Sequence, residues 1–308
     1  MIPILDWSRF RDGTDRDGFV HDLGNACRET GFFLLSNHGV PETLIADVFD
    51  ASDRFFALPI AEKAKLDIRT SKSNRGWTGE GVENLDDSKP DQVDMKEAFN
   101  IGLDMAPDDP RILAGEPFRA VNAWPDLVGF RETVLSYFSA VHDLGVALHR
   151  PIALELGQDE TYFDAHLDQP LATLRLLRYP AGDPEADSIG AGAHTDYGSI
   201  TLLLTDGEPG LQVQPRGKDW VNVPHVPGAF VVNIADCLMR WTNDIYVSTP
   251  HRVLTPKNPR RSIVFFLDPN PDSIIEAIPG TGAAKYPPIS GADYLRSRLD
   301  ATYKESVT

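Results

Sequence analysis

The stretch SITLLLTDGEPGLQVQPRGKDWVNV, residues 199–223, carries the pattern from which the fold is predicted. Short apolar or alternating runs are separated in it by turns that contain glycine and proline. Runs of this length with such boundaries are typical of β-strands. Comparable runs occupy 171–179, 191–194, 199–204, 211–214, 220–223, 229–235, 251–254 and 261–267. Short strands at even spacing predict an antiparallel sandwich or barrel.

The chain before this region is predicted to be mainly helical. Apolar residues recur at helical spacing in 14–30, in 41–56 and in 127–156, whereas 67–95 and 104–125 are predicted loops. Short strands are expected at 2–5, 32–35 and 97–101. No linker, repeat or low-complexity tract divides the 308 residues, so one domain is expected. Its parts would be a mainly helical region at 1–165, a β core with the functional site at 166–290 and a C-terminal helix at 291–308.

Charge and cysteine content restrict the partners and the location. The formal net charge of −17 opposes binding to phosphate backbones and to anionic lipid, which leaves a small molecule as the expected partner. Cys27 and Cys237 are far apart and have no metal-type spacing, as expected in a reducing cytoplasm. No apolar run approaches the roughly 18 residues of a membrane helix, and residues 1–6 do not resemble a signal peptide. The expected location is cytoplasmic, and a monomer is the starting expectation for the oligomeric state.

His194-Thr195-Asp196 and the distant His251 form a candidate metal site. Residues at i and i+2 of extended backbone point to the same face, about 7 Å apart at Cα. One strand cannot surround an ion, so a third ligand must come from elsewhere, and His251 begins a later strand. Two histidines and one carboxylate with open positions are the ligand set of non-haem Fe(II) oxygenases. The motif alone is not specific, because a histidine near a strand end is often structural and zinc hydrolases use similar ligands.

Arg260 and Ser262 make the metal interpretation more specific. Arg260 follows His251 by nine residues, and a turn at 256–259 would return it on the next strand. Arg260 and Ser262 then share a face, while Arg261 points the other way. A buried guanidinium needs an anionic partner, and a guanidinium beside a hydroxyl suits a carboxylate.

These residues resemble the isopenicillin N synthase-like branch of the Fe(II)/2-oxoglutarate-dependent oxygenases. The resemblance spans nearly the whole chain and follows the order of the family's motifs. The matching segments are Ile2–Asp6, Gly31–Val40, Asp94–Gly102, Arg178–Pro180, His194–Gly198, Asn233–Asp236, Arg240–Asp244 and Ser248–Val253, followed by Arg260 and Ser262. Leu177 and Ala235 depart from the residues that many relatives have, without removing a ligand.

The resemblance implies a mainly β fold, a double-stranded β-helix (jelly roll) with flanking helices. His194, Asp196 and His251 align with the iron ligands. Arg260 and Ser262 align with the pair that holds the distal carboxylate of 2-oxoglutarate, and Tyr179 aligns with a tyrosine that touches the co-substrate or the substrate. The implied enzyme uses Fe(II), 2-oxoglutarate and O2 to oxidise a C–H bond of a small molecule by hydroxylation, desaturation or ring closure, and it releases succinate and CO2.

Several alternatives stay open at the level of sequence. Relatives include Fe(II) oxidases that do not use 2-oxoglutarate and enzymes that form ethylene from it. A zinc or other metal hydrolase could use the same triad, and a non-catalytic barrel could bind a carboxylate through Arg260 and Ser262. Neither the prime substrate nor the loop that closes the pocket is defined by the sequence.

Aromatic and sulfur side chains beside the motifs are candidates for the substrate pocket. They are Phe99, Tyr197, Met239, Trp241 and Phe266. Most aromatic residues in a barrel belong to its core, which is the alternative for each of them. Trp77 belongs either to a lid or to an exposed loop.

Overall fold

The computed structural model describes residues 1–71, 73–86, 88–89, 91–183 and 189–303. Its strands are β1 (Ile4–Asp6), β2 (Phe32–Ser36), β3 (Gly76–Thr78), β4 (Glu97–Gly102), β5 (Ala172–Tyr179), β6 (Ile189–His194), β7 (Ile200–Thr205), β8 (Leu211–Val213), β9 (Val221–Asn222), β10 (Phe230–Ile234), β11 (His251–Leu254), β12 (Arg260–Leu267), β13 (Ile274–Ile275) and β14 (Ile289–Ser290). Its α-helices are α1 (Ser8–Arg11), α2 (Arg16–Glu29), α3 (Glu42–Phe56), α4 (Ile60–Lys63), α5 (Pro110–Leu113), α6 (Phe130–Glu155), α7 (Asp236–Trp241) and α8 (Gly291–Tyr303). None of these helices has both the length and the apolar character needed to cross a bilayer.

Two sheets form the β core. The larger has the order β1-β2-β10-β7-β12-β5-β4-β3, and the smaller has the order β6-β11-β8-β9. Neighbouring strands in both sheets are antiparallel except β1 and β2, which are parallel. One apolar cluster includes side chains of both sheets, among them Leu177 and Val264 from the larger and Val253 from the smaller. The predicted jelly roll with flanking helices is confirmed.

The helices cover the other face of the larger sheet. Helix α6 contributes buried apolar residues at helical spacing, Val134, Val141 and Leu148, to a second and larger cluster. Leu174 and Leu176 of β5 belong to the same cluster. The larger sheet is therefore buried on both faces.

Strand alternation decides which residues reach the interior of the jelly roll. In β5, Thr173, Arg175, Leu177 and Tyr179 line an internal cavity, while the intervening leucines face the helices. In β12 the cavity-lining residues are Arg260, Ser262, Val264 and Phe266. These two strands pair along their full length, with Arg260 opposite Tyr179 and Leu267 opposite Ala172.

The N-terminal part of the chain contributes four strands, β1 to β4, to the larger sheet. Three of them, β1, β2 and β4, lie at the strands predicted for 2–5, 32–35 and 97–101. The predicted loop 67–95 contains β3, whose Trp77 lies opposite Phe99. The Trp77 indole nitrogen donates to the Glu97 carboxylate at 2.9 Å, which makes this tryptophan part of the sheet edge.

Candidate metal centre and cavity

Three side chains from two strands converge inside the jelly roll. His194 ends β6, Asp196 follows it by two residues, and His251 begins β11 directly opposite His194. One ligand atom from each of the three lies within 4.8 Å of the others. Asp196 Oδ1 is 3.8 Å from His194 Nε2 and 3.5 Å from His251 Nε2. The site forms because antiparallel pairing of β6 with β11 brings residues 57 positions apart in sequence to one point.

Backbone carbonyls orient both imidazoles. His194 Nδ1 is 2.7 Å from Gly192 O, and His251 Nδ1 is 3.2 Å from Thr249 O. A ring nitrogen that faces a carbonyl must carry the proton, so the lone pair of each neutral ring is on Nε2. Nε2 is the atom that faces the centre, as metal binding requires.

The two oxygens of Asp196 have different partners. Oδ2 accepts hydrogen bonds from Thr201 Oγ1 at 2.6 Å and from Asn233 Nδ2 at 2.8 Å. Oδ1 faces the two histidines. The donors on β7 and β10 therefore fix the carboxylate so that one oxygen remains for an ion.

Electrostatics favour neutral His194 and ionised Asp196. Burial, assisted by the nearby His251, lowers the pKa of His194 to about 3. Burial would raise the pKa of Asp196, but the charge and hydrogen bond of His251 outweigh it and hold this pKa well below its usual range. Burial likewise opposes a charge on His251, yet Asp196 outweighs it and raises the pKa of that imidazole. A divalent ion at the centre would compete with the proton for Nε2 of His251.

The donor set fits Fe(II). Two neutral imidazole nitrogens and one carboxylate oxygen, held from one side, leave the remaining coordination positions directed at the cavity. That arrangement suits an ion that must also bind other ligands.

Arg260, Ser262 and Tyr179 form a second group on the cavity wall. The Arg260 guanidinium carbon lies 4.9 Å from the centroid of the Tyr179 ring, and Nη1 donates to Ser262 Oγ at 3.4 Å. Arg260 is only 1% exposed, and its Nε has no partner among the described residues. Arg261 points outward, as its position in the strand predicts, and pairs with Asp53 and Asp206. Arg260 is thus a buried cation whose free donors face a cavity.

The cavity has a volume of about 390 Å³ and includes both groups. Of the five pocket candidates, Tyr197 and Phe266 lie on its wall.

The other three candidates lie outside the cavity lining. Phe99 contacts Phe55 and Phe130 on the helical side of β4, with ring centroids 4.5 and 5.7 Å away. Its neighbour Asn100 lines the cavity instead, because successive strand residues face opposite sides. Trp241 packs against Phe163 and His166, and Met239 Sδ accepts a hydrogen bond from the Ser248 backbone N–H.

Sequence reasoning missed the charged residues of the cavity wall. They are Arg75, Glu83, Lys96, Arg175 and Asp268. Arg175 could have been predicted, because it lies four residues before Tyr179 in β5 and strand residues at even spacing share a face. The loop residues Arg75 and Glu83 have no periodic signal that could have indicated them.

Glu83, in the segment after β3, forms ion pairs with Arg175 and Lys96, and Lys96 links this group to the metal centre. Glu83 Oε2 lies 2.5 Å from Arg175 Nη2 and 3.4 Å from Lys96 Nζ. Burial would raise the pKa of Glu83, but the two cations lower it to about 2. Lys96 also pairs with Asp94, which accepts a hydrogen bond from the backbone N–H of Gly192, the residue whose carbonyl orients His194.

Comparisons with known proteins agree on one family. Residues 2–127 match the model described as the N-terminal part of non-haem dioxygenases in morphine synthesis, and residues 170–269 match the 2OG-Fe(II) oxygenase superfamily. The chain is 38% identical to the 2-oxoglutarate-Fe(II) type oxidoreductase hxnY of Emericella nidulans, over 98% of this chain and 90% of that protein. It is 34% identical to a homoarginine-6-hydroxylase of Glycine max, over 90% of this chain and 88% of that protein. The crystal structure of a full-length Neurospora crassa protein in complex with alpha-KG and thymine superposes with a TM-score of 0.87 at 35% identity, over 98% of this chain and 97% of that one.

Proposed function

This chain belongs to the 2-oxoglutarate- and Fe(II)-dependent oxygenase superfamily, and we propose that His194, Asp196 and His251 are the ligands of its iron. The protein is an oxidoreductase that uses Fe(II), 2-oxoglutarate and O2 and acts on a small molecule. The ligand assignment is supported by two Nε2 atoms and one carboxylate oxygen that converge on one point. The remaining polar atom of each of these three side chains is engaged by a protein group.

We assign the distal carboxylate of 2-oxoglutarate to Arg260 and Ser262, with Tyr179 beside them. The assignment is supported by a buried guanidinium that pairs with none of the described carboxylates and opens on the cavity of the metal centre. A guanidinium with two free N–H groups can hold a carboxylate through two parallel hydrogen bonds. Leu177, Leu203 and Val264 line the same cavity, and they limit access of water to that ion pair.

The proposed reaction is oxidation of a substrate C–H bond. Bound Fe(II) and 2-oxoglutarate would supply the oxidation: one atom of O2 enters succinate as the keto acid loses CO2. The other atom either becomes the substrate hydroxyl or leaves as water with two hydrogens removed from the substrate. The protein holds the three ligands in a fixed orientation, and Thr201 and Asn233 keep the carboxylate of Asp196 from rotating. Tyr197 and Phe266 on the cavity wall are proposed substrate contacts.

We further propose one domain that works as a monomer in the cytoplasm. Support for one domain comes from the larger sheet, in which β2 pairs with β10 and β4 pairs with β5 of the C-terminal half. Support for a reducing compartment comes from Cys27 and Cys237, which are both free and buried. The net charge of −17 disfavours nucleic acid and anionic membranes as partners.

Anaerobic titration tests the assignment of the ligands. Addition of Fe(II) and then 2-oxoglutarate to wild-type protein should produce a visible metal-to-ligand charge-transfer band. His194→Ala and Asp196→Ala should lose the band and all succinate formation. Arg260→Gln should retain iron binding but require at least tenfold more 2-oxoglutarate, because a charge-assisted pair is lost. His21→Gln, at an exposed histidine outside the cavity, is the matched control. Undiminished turnover in either alanine variant would contradict the assignment.

A further inference from the structure

Arg75 is a cation of the cavity wall that the proposed function leaves unexplained. It precedes β3, lines the cavity and is 7% exposed. Its Nη1 donates to Ser73 O at 3.1 Å, whereas its Nε has no partner among the described residues. The part of the chain that the structure describes offers it no carboxylate.

Two other arginines nearby, the partly buried Arg175 and the buried Arg119, have such partners. Arg175 pairs with Glu83. Arg119 pairs with Glu116, and it also donates to the carbonyls of Pro170 and Gln169. Among the described residues of the cavity wall, Arg75 and Arg260 are thus both buried arginines without a carboxylate partner, and Arg260 is already assigned to 2-oxoglutarate.

The protein makes room for this guanidinium at Gly102. A Cβ at Gly102 would lie 1.8 Å from Arg75 Nη2, so only glycine permits the observed position. Burial, followed by the charge of Arg119, lowers the pKa of Arg75 to about 10, which still leaves it protonated at neutral pH. A buried charge without a partner is unfavourable, and an anionic ligand would offset this cost.

A second unsatisfied group lies on the same wall. Asn100 is fully buried in β4, and its Nδ2 donates to Asn74 Oδ1 at 3.3 Å. Its Oδ1 has no partner among the described residues, and both asparagines line the cavity. This oxygen can accept a hydrogen bond from a ligand N–H or O–H group.

We propose that Arg75 binds an anionic group of the prime substrate, a carboxylate, and that Asn100 accepts a hydrogen bond from the same molecule. The proposal rests on the proposed function, because it assigns Arg260 to 2-oxoglutarate and leaves Arg75 to the substrate. It makes the substrate a small organic acid with a nearby hydrogen-bond donor.

Matched acid and amide probes test this proposal on the full chain. The protein is loaded anaerobically with Fe(II) and 2-oxoglutarate, and binding is followed by the change that each probe causes in the visible band. The probe pairs are L-homoarginine and its amide, indole-3-acetate and indole-3-acetamide, and uracil-5-carboxylate and uracil-5-carboxamide. Succinate formation in air with each probe is the second measurement.

We expect at least one acid to bind tenfold or more tightly than its amide, a difference of about 1.4 kcal/mol. Arg75→Gln should abolish this preference, and Arg75→Lys should restore part of it. Both variants should bind 2-oxoglutarate as wild type does. Gly102→Ala should have the same effect as Arg75→Gln, because its methyl group occupies the position of the guanidinium. Arg69→Gln, at an exposed arginine that pairs with Asp67, is the control.

Two results would overturn the proposal: no acid preference in any pair, or a preference that persists in both Arg75→Gln and Gly102→Ala. The proposal would also be overturned by a third result: Arg75→Gln no longer forms the visible band with 2-oxoglutarate, while Gly102→Ala still binds an acid more tightly than its amide. Failure of the proposed function looks different, since wild-type protein would then form no band with Fe(II) and 2-oxoglutarate.

Discussion

At the scale of single residues, the metal centre depends on groups that do not face the ion. The carbonyls of Gly192 and Thr249 select the tautomers of the histidines, and Thr201 and Asn233 engage one oxygen of Asp196. Such outer partners commonly change metal affinity by roughly 10–100-fold when they are removed.

Thr201→Val should weaken Fe(II) binding about tenfold while the fold persists. Valine has the shape of threonine but cannot donate to Asp196 Oδ2, so the carboxylate gains rotational freedom. Anaerobic Fe(II) titration measures the effect. Thr205→Val on the same strand is the control, because the Thr205 hydroxyl lies 3.4 Å from Nδ1 of the exposed His225. Equal iron affinity in both variants would show that the hydroxyl has no such role.

Asp268 should make the metal-free protein less stable as pH rises. It is buried on the cavity wall, and burial, together with the charge of Asp196, raises its pKa to about 7. Between the unfolded pKa of about 3.9 and the folded pKa of about 7, the folded state binds more protons, so stability falls with increasing pH.

Asp268→Asn should therefore stabilise the metal-free protein at pH 8 by a few kcal/mol at most, and much less at pH 5, at about 1.4 kcal/mol per pKa unit. Urea denaturation in the presence of a chelator at both pH values measures the difference. Asp126→Asn, at an exposed carboxylate, serves for comparison. A gain that is the same at both pH values would contradict the raised pKa.

At the scale of elements, the turn from α2 to β2 determines how the helical layer meets the sheet. Gly31 occupies that turn with φ +64°, and a Cβ there would lie 2.1 Å from Val247 O. The segment of Val247 leads into β11 and His251. One glycine therefore lets the N-terminal layer approach the segment that leads into the strand of His251, a proposed metal ligand.

Gly31→Ala should lower the free energy of unfolding by clearly more than Gly13→Ala. Both glycines have positive φ, but a Cβ at Gly13 meets nothing within 4 Å. The control thus isolates the backbone cost of about 1–2 kcal/mol, and the excess at Gly31 measures the clash with Val247. Equal losses in urea denaturation would show that the approach of Val247 is easily relaxed.

At the scale of the whole molecule, two sheets enclose the cavity, and the larger one combines strands from both halves of the chain. Ligands bound there should therefore stabilise the entire fold. Ligands that bind only the folded state add about 2.7 kcal/mol at 100 times their dissociation constant. Fe(II) with 2-oxoglutarate, added without O2, should therefore raise the melting temperature by several degrees.

A chelator should reverse this rise, and His251→Ala should show none of it. Arg260→Gln should keep the part due to Fe(II) and lose the part due to 2-oxoglutarate. An identical rise in His251→Ala would indicate that the metal binds elsewhere.

Much of the fold was predictable because its signals are local. The runs 261–267 and 171–179 predicted strands close to the observed β12 and β5, and the two-residue period separated Arg260 from Arg261. Met239 and Trp241 lie on helix α7, where strand alternation does not apply. Phe99 of β4 shows the limit of this reasoning. In a sheet that is buried on both faces, alternation separates two sets of residues but does not say which set faces the cavity.

The sequence by itself predicted the strands of the core, His194-Thr195-Asp196 and the paired Arg260 and Ser262, since each depends on residue type and spacing along one segment. It also offered His251 as the third proposed ligand, but the pairing of β6 with β11 brings this residue to the other two. The tertiary structure alone decided that Arg75, Glu83 and Asp268 line one cavity. Their positions depend on how loops far apart in sequence pack against β4, β5 and β12, and such long-range packing leaves no period in the sequence. The sequence therefore predicts the iron chemistry, whereas the proposed substrate contacts can be identified only in the folded molecule.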